Sequence, residues 1–349
     1  MGDLGQERIR EVDRSGLVGD VLAFPDHLRD ALWRVESAAL ESFEAPGGLV
    51  VAGMGGSAIG GLLAGAALGD RASRPIVVTR DYALPPWASP DAAVLCVSYS
   101  GDTEETLAAY DAAGAVGARR IVATTGGQLA RSARADGVPV IPMPAGLQPR
   151  AAVGYVTVAV LETAALAGVA EPLHVEIDVA AAHLESLAAE WGPAGPADGL
   201  ARDLARDLEG RLPVVMGAGP TAAVAYRWRT QLNENAKLPA HNAELPEADH
   251  NEVEGWAGAD GLGRFAAVFL DDSDLHPRVR ERITVTESVI APHAAIVRRV
   301  QSIGEGRLER VLSLVLLGDL VSIYLAVLRG VDPTPVDVIS QLKARLASG

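Results

Sequence analysis

A cluster of hydroxyl side chains occupies residues 98–106, where a predicted strand passes into a predicted helix. Its members are Ser98, Ser100, Thr103 and Thr106. Hydroxyl groups beside the unpaired N–H groups of a helix N-terminus can bind a phosphate, and we therefore interpret this segment as a phosphate-binding loop. The alternative is helix capping, because Asp102 and Glu105 have the spacing of a capping box. Capping leaves the density of hydroxyl groups unexplained, whereas phosphate binding requires that Asp102, Glu104 and Glu105 point away from the ligand.

A glycine-rich segment, residues 53–60, follows an earlier predicted strand and also opens a helix. It reads Gly-Met-Gly-Gly-Ser-Ala-Ile-Gly, and its backbone N–H groups around Gly56 and Ser57 can face an anion. The same residues fit the G-x-G-x-x-A pattern of dinucleotide-binding loops, and Asp81 ends the next strand at a spacing near that of the ribose-binding acid. A nicotinamide-dependent oxidoreductase therefore stays open at this point, as does a tight turn without a ligand.

Two polar segments in the second half of the chain hold further groups that can transfer protons. Residues 231–237 place Glu234 between two asparagines, and residues 245–256 place His250 in a polar, proline-containing loop. Asparagine is a poor residue for a helix interior, so two of them near a predicted helix end indicate a local hydrogen-bonding need. Taken one at a time, these polar side chains are equally consistent with a solvated surface.

These groups lie at the ends of an alternating series of predicted strands and helices. Short apolar runs predict strands at 48–53, 75–79, 93–97, 121–124, 138–141, 212–219, 265–270 and 294–297. Helices are predicted at 57–68, 103–116, 150–167, 173–191 and 307–329, with a last one beginning near Pro335. Strands that alternate with helices predict an α/β fold with parallel sheets.

Length and composition suggest two domains. With 349 residues, we predict an N-terminal helical segment at 1–45, a first domain at 46–170, a helix and linker at 171–199, and a second domain at 200–349. The net charge of −15 disfavours nucleic-acid binding, and the single cysteine excludes a disulfide framework. The sequence shows neither a signal peptide nor an uninterrupted membrane span, so we expect a cytoplasmic protein without membrane association.

The loops at 53–57 and 98–103 together resemble the SIS (sugar isomerase) domain, whose hydroxyl-rich loop binds a sugar phosphate. The segments around Glu234 and His250, with Arg150 upstream and residues 332–343 downstream, resemble the bifunctional phosphoglucose/phosphomannose isomerase family. The resemblance runs from about residue 45 to the C-terminus. It implies two tandem SIS-type αβα sandwiches, each with a mainly parallel sheet flanked by helices.

The resemblance also implies roles for individual residues in interconverting fructose 6-phosphate with glucose 6-phosphate, mannose 6-phosphate or both. Glu234, which we expect to be buried, would be the base that moves a proton between C1 and C2, and His250 would open the sugar ring. Arg150 would stabilise the enediolate, and Lys343 would contact sugar hydroxyls or assist ring opening. The phosphate would bind to Gly56, Ser57, Ser98, Ser100, Thr103 and Thr106. The resemblance further implies a homodimer in which the histidine reaches the neighbour's site.

The family-type reaction needs neither a cofactor nor a metal, and the seven histidines show no H-x-H or H-E-x-x-H spacing. One competing hypothesis is a sugar-phosphate sensor without catalysis, for which Glu234 and His250 would be dispensable. The other is the dinucleotide-dependent oxidoreductase, which gives no role to the hydroxyl cluster. The preference between glucose and mannose phosphates stays open.

Overall fold

The computed structural model describes residues 3–347, so the outermost two positions of the predicted segments 1–45 and 200–349 lie outside the described residues. The strands are β1 (Leu49–Ala52), β2 (Ile76–Thr79), β3 (Ala93–Ser98), β4 (Arg119–Thr124), β5 (Val140–Pro142), β6 (Leu212–Ala218), β7 (His241–Leu245), β8 (Phe265–Asp271) and β9 (Ile296–Gln301). The first helices are α1 (Gln6–Val12), α2 (Leu17–Leu22), α3 (Phe24–Ser37), α4 (Gly56–Leu68), α5 (Glu104–Ala115), α6 (Gly127–Ala135) and α7 (Val153–Leu166). The others are α8 (His174–Trp191), α9 (Leu200–Leu208), α10 (Pro220–Glu234), α11 (Glu252–Gly255), α12 (Pro277–Ile290), α13 (Arg307–Arg329) and α14 (Asp337–Ala347).

The strands form two parallel sheets with the same type of order. The first sheet runs β2-β1-β3-β4-β5 and the second runs β7-β6-β8-β9. In each sheet the second strand lies on one side of the first strand, and the third strand lies on the other side. The strand order therefore reverses between β1 and β3 and between β6 and β8, and these are the topological switch points. The usual dinucleotide-binding sheet places its fourth strand, not its third, beside the first. The oxidoreductase alternative therefore loses its structural support.

Side chains alternate between the two faces of each sheet, as the pleat requires. In β1, Leu49 and Val51 face a central cluster of helices, whereas Val50 and Ala52 face an outer layer that includes residues of α5 and α6. In β8, Ala266, Val268 and Leu270 face the central cluster, whereas Ala267 and Phe269 face an outer cluster. The central helices are therefore covered by a sheet on each side.

Helix α13 is the main helix of this central layer. Among the described helices it is the one long and apolar enough to cross a membrane, but 94% of its apolar stretch is buried inside the protein. Its residues pack against α8, α9 and α10. The helix therefore serves as core, because its apolar surface is already covered by protein.

One local prediction is corrected by the structure. Residues 241–245 form strand β7, and short helices occupy most of 247–261, where the sequence predicted a polar loop. Helices α6, α9 and α12 were not predicted. The predicted linker at 192–199 makes hydrogen bonds with the buried Arg202. The Arg202 guanidinium donates to the backbone carbonyls of Pro193, Gly195 and Pro196.

Candidate active site

Both predicted phosphate loops begin at the switch point of the first sheet. β1 leads through Gly53 into α4, where Gly56 and Ser57 lie in the first turn. β3 ends at Ser98 and leads into α5, whose N-cap residue is Thr103. In open parallel sheets, ligands bind in the crevice outside the strand ends at such a point. The structure therefore brings the two loops together at the edge where an anion would be expected.

The hydroxyl loop is organised around Ser98. Its Oγ accepts a hydrogen bond from the Gly101 N–H at 3.0 Å and lies 2.8 Å from Thr103 Oγ1. When Ser98 donates to Thr103, the Thr103 proton remains free for a ligand. Ser100 is exposed, and its Oγ accepts the backbone N–H two residues on at 3.3 Å. Thr106 is buried, and its hydroxyl has no hydrogen-bond partner among residues 3–347.

Two of the acidic side chains around this loop are bound to partners outside it. Asp102 Oδ1 accepts a hydrogen bond from the Gln128 N–H at the start of α6, at 2.8 Å. Glu104 accepts from the Tyr82 hydroxyl at 3.3 Å. The capping alternative is wrong, because α5 has Thr103 at its N-cap and no side-chain capping bond. These two carboxylates therefore have partners other than the loop hydroxyls.

Gly56 brings the first loop against the segment that carries Arg150. A Cβ on Gly56 would lie 3.0 Å from the Pro149 carbonyl oxygen and 3.5 Å from the Arg150 Cα, so glycine permits this close approach. The neighbouring Ser57 is 8% exposed. Its hydroxyl makes no hydrogen bond within the described part of the chain and is available to a ligand.

Arg150 is buried and held by several acceptors. Its Nε donates to Asn235 Oδ1 at 2.6 Å, and one terminal nitrogen donates to the carbonyls of residues 333 and 334 at 2.8 and 2.9 Å. The other terminal nitrogen lies 3.7 Å from Glu234 Oε2. Burial lowers the pKa of Arg150, and the Glu234 carboxylate opposes that shift. The guanidinium stays cationic and can stabilise negative charge beside Glu234.

Glu234 is half-buried rather than buried as expected, with 30% of its side chain exposed. It ends α10 and lines an open pocket of about 890 Å³ together with Lys237 and residues from the 331–339 segment. Lys237 donates to the backbone carbonyls of Glu234 and Pro333. Burial, followed by the nearby Arg150 charge, lowers the pKa of Lys237. The Glu234 carboxylate and Lys237 thus meet at one open pocket, with the buried Arg150 guanidinium 3.7 Å from that carboxylate.

Within one chain, His250 lies far from Glu234. Helix α10 connects the parallel strands β6 and β7, so it runs antiparallel to them. Glu234, at its end, therefore lies near the start of β7, whereas His250 follows the other end of β7 in a short 3-10 helix. The five-residue strand that lies between the two residues is about 17 Å long at the usual rise per residue. A single chain does not bring this predicted pair together.

Lys343 is also outside the group formed by Arg150 and Glu234. It lies on α14, whose side chains from 337 to 346 are exposed, including Val338 and Leu342. The side chains of Lys343 and His250 make no hydrogen bond or ion pair with any residue that the structure describes. The isolated chain therefore leaves both side chains open to solvent or to a partner.

The matching edge of the second sheet is filled by protein groups. Thr221 Oγ1 contacts the carbonyls of Ala218 and Leu270 at 3.0 and 2.9 Å, and the buried Asp272 accepts from Arg310 at 3.1 Å. A hydroxyl has one proton, and that of Thr221 is directed at these carbonyls, so it is not available to a phosphate. The repeated Gly-x-Gly motif of the second half therefore lacks the features found in the first.

Several residues around Arg150 were not predicted from the sequence. Gln148 accepts from Arg150 at 3.3 Å, and Arg227 donates to the Arg150 carbonyl at 3.0 Å. Arg227 is itself bound to the buried Asp319 at 2.9 and 2.6 Å. A lone carboxylate within the apolar α13 sequence was the available signal, because buried charges need partners. By contrast, the hydrogen-bonding need inferred for Asn235 is confirmed.

Neither a metal site nor an activated cysteine nucleophile is present among the described residues. No group of three or more His, Cys, Asp or Glu side chains in residues 3–347 has the arrangement of a metal site. The single cysteine, Cys96, is fully buried in β3, and burial raises its pKa to about 12. A thiol with that pKa is not an activated nucleophile.

Comparison with known proteins places the chain in a family. Residues 197–346 match the model of the bacterial phospho-glucose isomerase C-terminal SIS domain. The chain is 42% identical to a bifunctional phosphoglucose/phosphomannose isomerase of Caldicellulosiruptor bescii, over 86% of this chain and 89% of that protein. It is 36% identical to a protein of the same name from Aquifex aeolicus, over 86% of this chain and 90% of the other.

A solved structure agrees at the level of the fold. A glucose-6-phosphate isomerase like protein from Thermus thermophilus superimposes with a TM-score of 0.63 at 22% identity, covering 98% of this chain and 99% of the other. The predicted α/β fold with two parallel sheets flanked by helices is confirmed. With these similarities and the SIS-type architecture, the chain belongs to the bifunctional phosphoglucose/phosphomannose isomerase family.

Proposed function

We propose that this protein is a metal-independent aldose-ketose isomerase that interconverts fructose 6-phosphate with glucose 6-phosphate, mannose 6-phosphate or both. The observation that carries the proposal is the pairing of Arg150 with Glu234 at 3.7 Å, beside the loop of Gly56 and Ser57. This arrangement combines a carboxylate, a cation and an anion-binding loop. Proton transfer next to a carbonyl group needs a base and stabilisation of the developing negative charge, and the loop can hold the phosphate of the substrate.

The substrate phosphate binds at the β1/β3 switch point. Its ligands are the backbone at Gly56 and the hydroxyl groups nearby, namely Ser57, Ser98, Ser100, Thr103 and Thr106. Neutral donors at two helix N-termini suit a dianion, since the helix dipoles add favourable charge. Binding energy from the phosphate, which does not react, holds C1 and C2 in register with Glu234.

Glu234 moves the proton between the two carbons. Its carboxylate removes the C2 proton of the open-chain aldose, and the electron pair of that C–H bond forms the C1–C2 double bond while negative charge develops on O1. The hydroxyl proton of O2 passes to O1, and the same carboxyl returns a proton to C1 as the O2 carbonyl of the ketose forms. Arg150 stabilises the negative charge that develops on the enediolate oxygens, because one edge of its guanidinium faces Glu234.

His250 and Lys343 complete the site in a homodimer. His250 opens the sugar ring by passing a proton between the ring oxygen and O1, and Lys343 contacts the sugar hydroxyls. Since the length of β7, about 17 Å, separates His250 from the Glu234 of its own chain, the partner subunit supplies this histidine. The acidic composition and the single cysteine fit a cytoplasmic enzyme.

Turnover of fructose 6-phosphate by chelator-treated protein tests the activity. We expect glucose 6-phosphate, mannose 6-phosphate or both to form, and their ratio gives the sugar preference. The protein assayed in parallel with added Zn²⁺ is the control for metal dependence. If neither product forms while fructose 6-phosphate still raises the melting temperature, the protein is a sensor and the proposed activity is wrong.

Subunit complementation tests the shared site. Glu234→Gln and His250→Ala are each expected to be nearly inactive, and co-expression with two different tags yields heterodimers. Each heterodimer carries one intact site and one doubly altered site, so the mixed population recovers about a quarter of wild-type activity. A mixture no more active than its parents would show that Glu234 and His250 do not act across a dimer interface.

A further inference from the structure

The guanidinium of Arg150 is oriented by contacts that use nearly all of its donors. Nε–H donates to Asn235, and one terminal nitrogen donates to the carbonyls of residues 333 and 334. The remaining terminal nitrogen donates to Gln148 at 3.3 Å and faces Glu234 Oε2 at 3.7 Å. A planar group bound along two edges cannot rotate freely. One N–H of that nitrogen is therefore left toward the Glu234 carboxylate.

Asn235 is itself held in one orientation. It is fully buried, and its Nδ2 donates to Ser322 Oγ at 2.8 Å, while Ser322 uses its only proton on the Asp319 carbonyl at 2.7 Å. Because Ser322 then acts as an acceptor, the amide nitrogen of Asn235 must face it and the amide oxygen must face Arg150. In a flipped amide, the Asn235 NH₂ group would face the Arg150 Nε–H, so that two donors would meet without an acceptor.

The backbone gives no separate reason for an asparagine at this position. Asparagine is common at helix ends because it adopts the left-handed conformation, but Asn235 has φ −83° and ψ −52°. The left-handed residue at this helix end is Lys237, with φ +52°. What Asn235 contributes is therefore its buried side chain, which joins Arg150 to α13 one residue after Glu234.

We propose that Asn235 is a positioning residue for the isomerase reaction, holding the Arg150 guanidinium so that its free edge faces Glu234 and the enediolate. This inference rests on the proposed function. Asn235 touches Arg150 and not the substrate, so its effect passes through Arg150. Loss of the amide oxygen releases Nε–H and allows the guanidinium to turn within its site.

Kinetics of Asn235→Ala provide the first test. We expect kcat to fall about 10- to 100-fold with KM for fructose 6-phosphate within about twofold, since a contact effective in the transition state is weakened. Asn235→Asp keeps an oxygen acceptor for Nε–H but sets its second oxygen against Ser322 Oγ, so it should recover only part of the lost kcat. The matched control is Asn233→Ala, which lies on the other side of Glu234 and bonds to the Ala240 N–H instead.

A double-mutant cycle with Arg150→Lys separates positioning from a general loss of structure. In the Arg150→Lys background, Asn235→Ala should lower kcat by less than about threefold, because the positioned group is already gone. An equal loss in both backgrounds would overturn the proposal. If Asn235→Ala does not fold, Ser322→Ala removes only the anchor of the amide and should lower kcat by about two- to tenfold; unchanged kcat would count against the proposal.

A crystal structure of Asn235→Ala gives a readout that does not depend on activity. The proposal expects the terminal nitrogen of Arg150 that faces Glu234 to move more than about 1 Å relative to that carboxylate, a displacement large enough to disturb catalysis. An unchanged guanidinium would overturn it even if the protein turns over no sugar phosphate. Inactive wild-type protein, by contrast, would refute the proposed function and leave this structural test decisive for Asn235.

Discussion

Removal of Asp319 should destabilise the protein strongly, because it leaves a buried cation without its partner. Arg227 is 0% exposed and Asp319 3% exposed. Their carboxylate and guanidinium groups are joined by two hydrogen bonds, at 2.9 and 2.6 Å. Breaking a buried pair from one side typically costs about 3–5 kcal/mol. That loss is a large share of the roughly 5–15 kcal/mol that stabilises a typical folded protein.

Replacement of both partners should cost far less. In Arg227→Met/Asp319→Leu no charge is buried, and such exchanges are often neutral or stabilising. Two costs remain, because the Arg150 carbonyl loses the hydrogen bond that Arg227 donates at 3.0 Å, and the buried Gln231 loses its hydrogen bond to Asp319. A net hydrogen bond contributes about 1 kcal/mol, so the double variant should lie within about 2 kcal/mol of wild type.

Urea unfolding followed by circular dichroism and by tryptophan fluorescence measures these differences. Coincident transitions from the two signals justify a two-state fit. The control variant is Tyr324→Phe, on the same helix as Asp319. It removes one buried hydrogen bond, to the Trp191 carbonyl, without leaving a buried charge unpaired. It should lose only about 1 kcal/mol. The reasoning is refuted if Asp319→Ala costs no more than this control, or if the double variant is as unstable as Asp319→Ala.

Three further predictions concern packing, phosphate binding and pH. Gly318→Ala should cost at least about 1–3 kcal/mol in urea unfolding, because its Cβ would lie 2.2 Å from Trp228 Nε1; wild-type stability would contradict the packing described. Ser98→Ala should raise KM for fructose 6-phosphate about tenfold while kcat changes little, since a remote binding contact is lost; steady-state kinetics decide this. The hydrogen bond from Arg307 lowers the pKa of Asp274. The ionised Asp274 therefore stabilises the folded protein at neutral pH, and this contribution is lost as pH falls below about 4. The stability difference between wild type and Asp274→Asn should therefore shrink in acid, and a constant difference from pH 7 to pH 2 would contradict the assignment.

Much of the fold could be predicted because the strands have local signals. β1 and β3 are continuous apolar runs, as expected for strands buried on both faces, and β-α alternation fixed the parallel pairing. β7 escaped prediction because its sequence, His-Asn-Ala-Glu-Leu, lies at a sheet edge and exposes polar side chains. Its pairing with β6 is a tertiary effect that local pattern does not encode.

The candidate site was predicted in part for similar reasons. The phosphate loops are local segments at strand ends, so their residues could be proposed together before the structure was known. The network of Arg150, Asn235 and Asp319 joins distant parts of the chain, and residue types alone do not reveal which partners meet. The separation of His250 from Glu234 follows from the direction of α10. That direction becomes informative only once β7 is known to be a strand.

Solvent-deuterium exchange tests the central claim most directly. Wild-type protein and Glu234→Gln are incubated with fructose 6-phosphate in D₂O, and proton NMR follows deuterium appearing at the exchanging carbon together with the aldose products. We predict that wild type incorporates deuterium as it isomerises, because the proton passes through an exchangeable carboxyl group. Glu234→Gln should bind fructose 6-phosphate with similar affinity and lose about 10²- to 10⁴-fold in rate, the usual contribution of a catalytic base. A Glu234→Gln rate within about tenfold of wild type would contradict the assignment of Glu234 as the base.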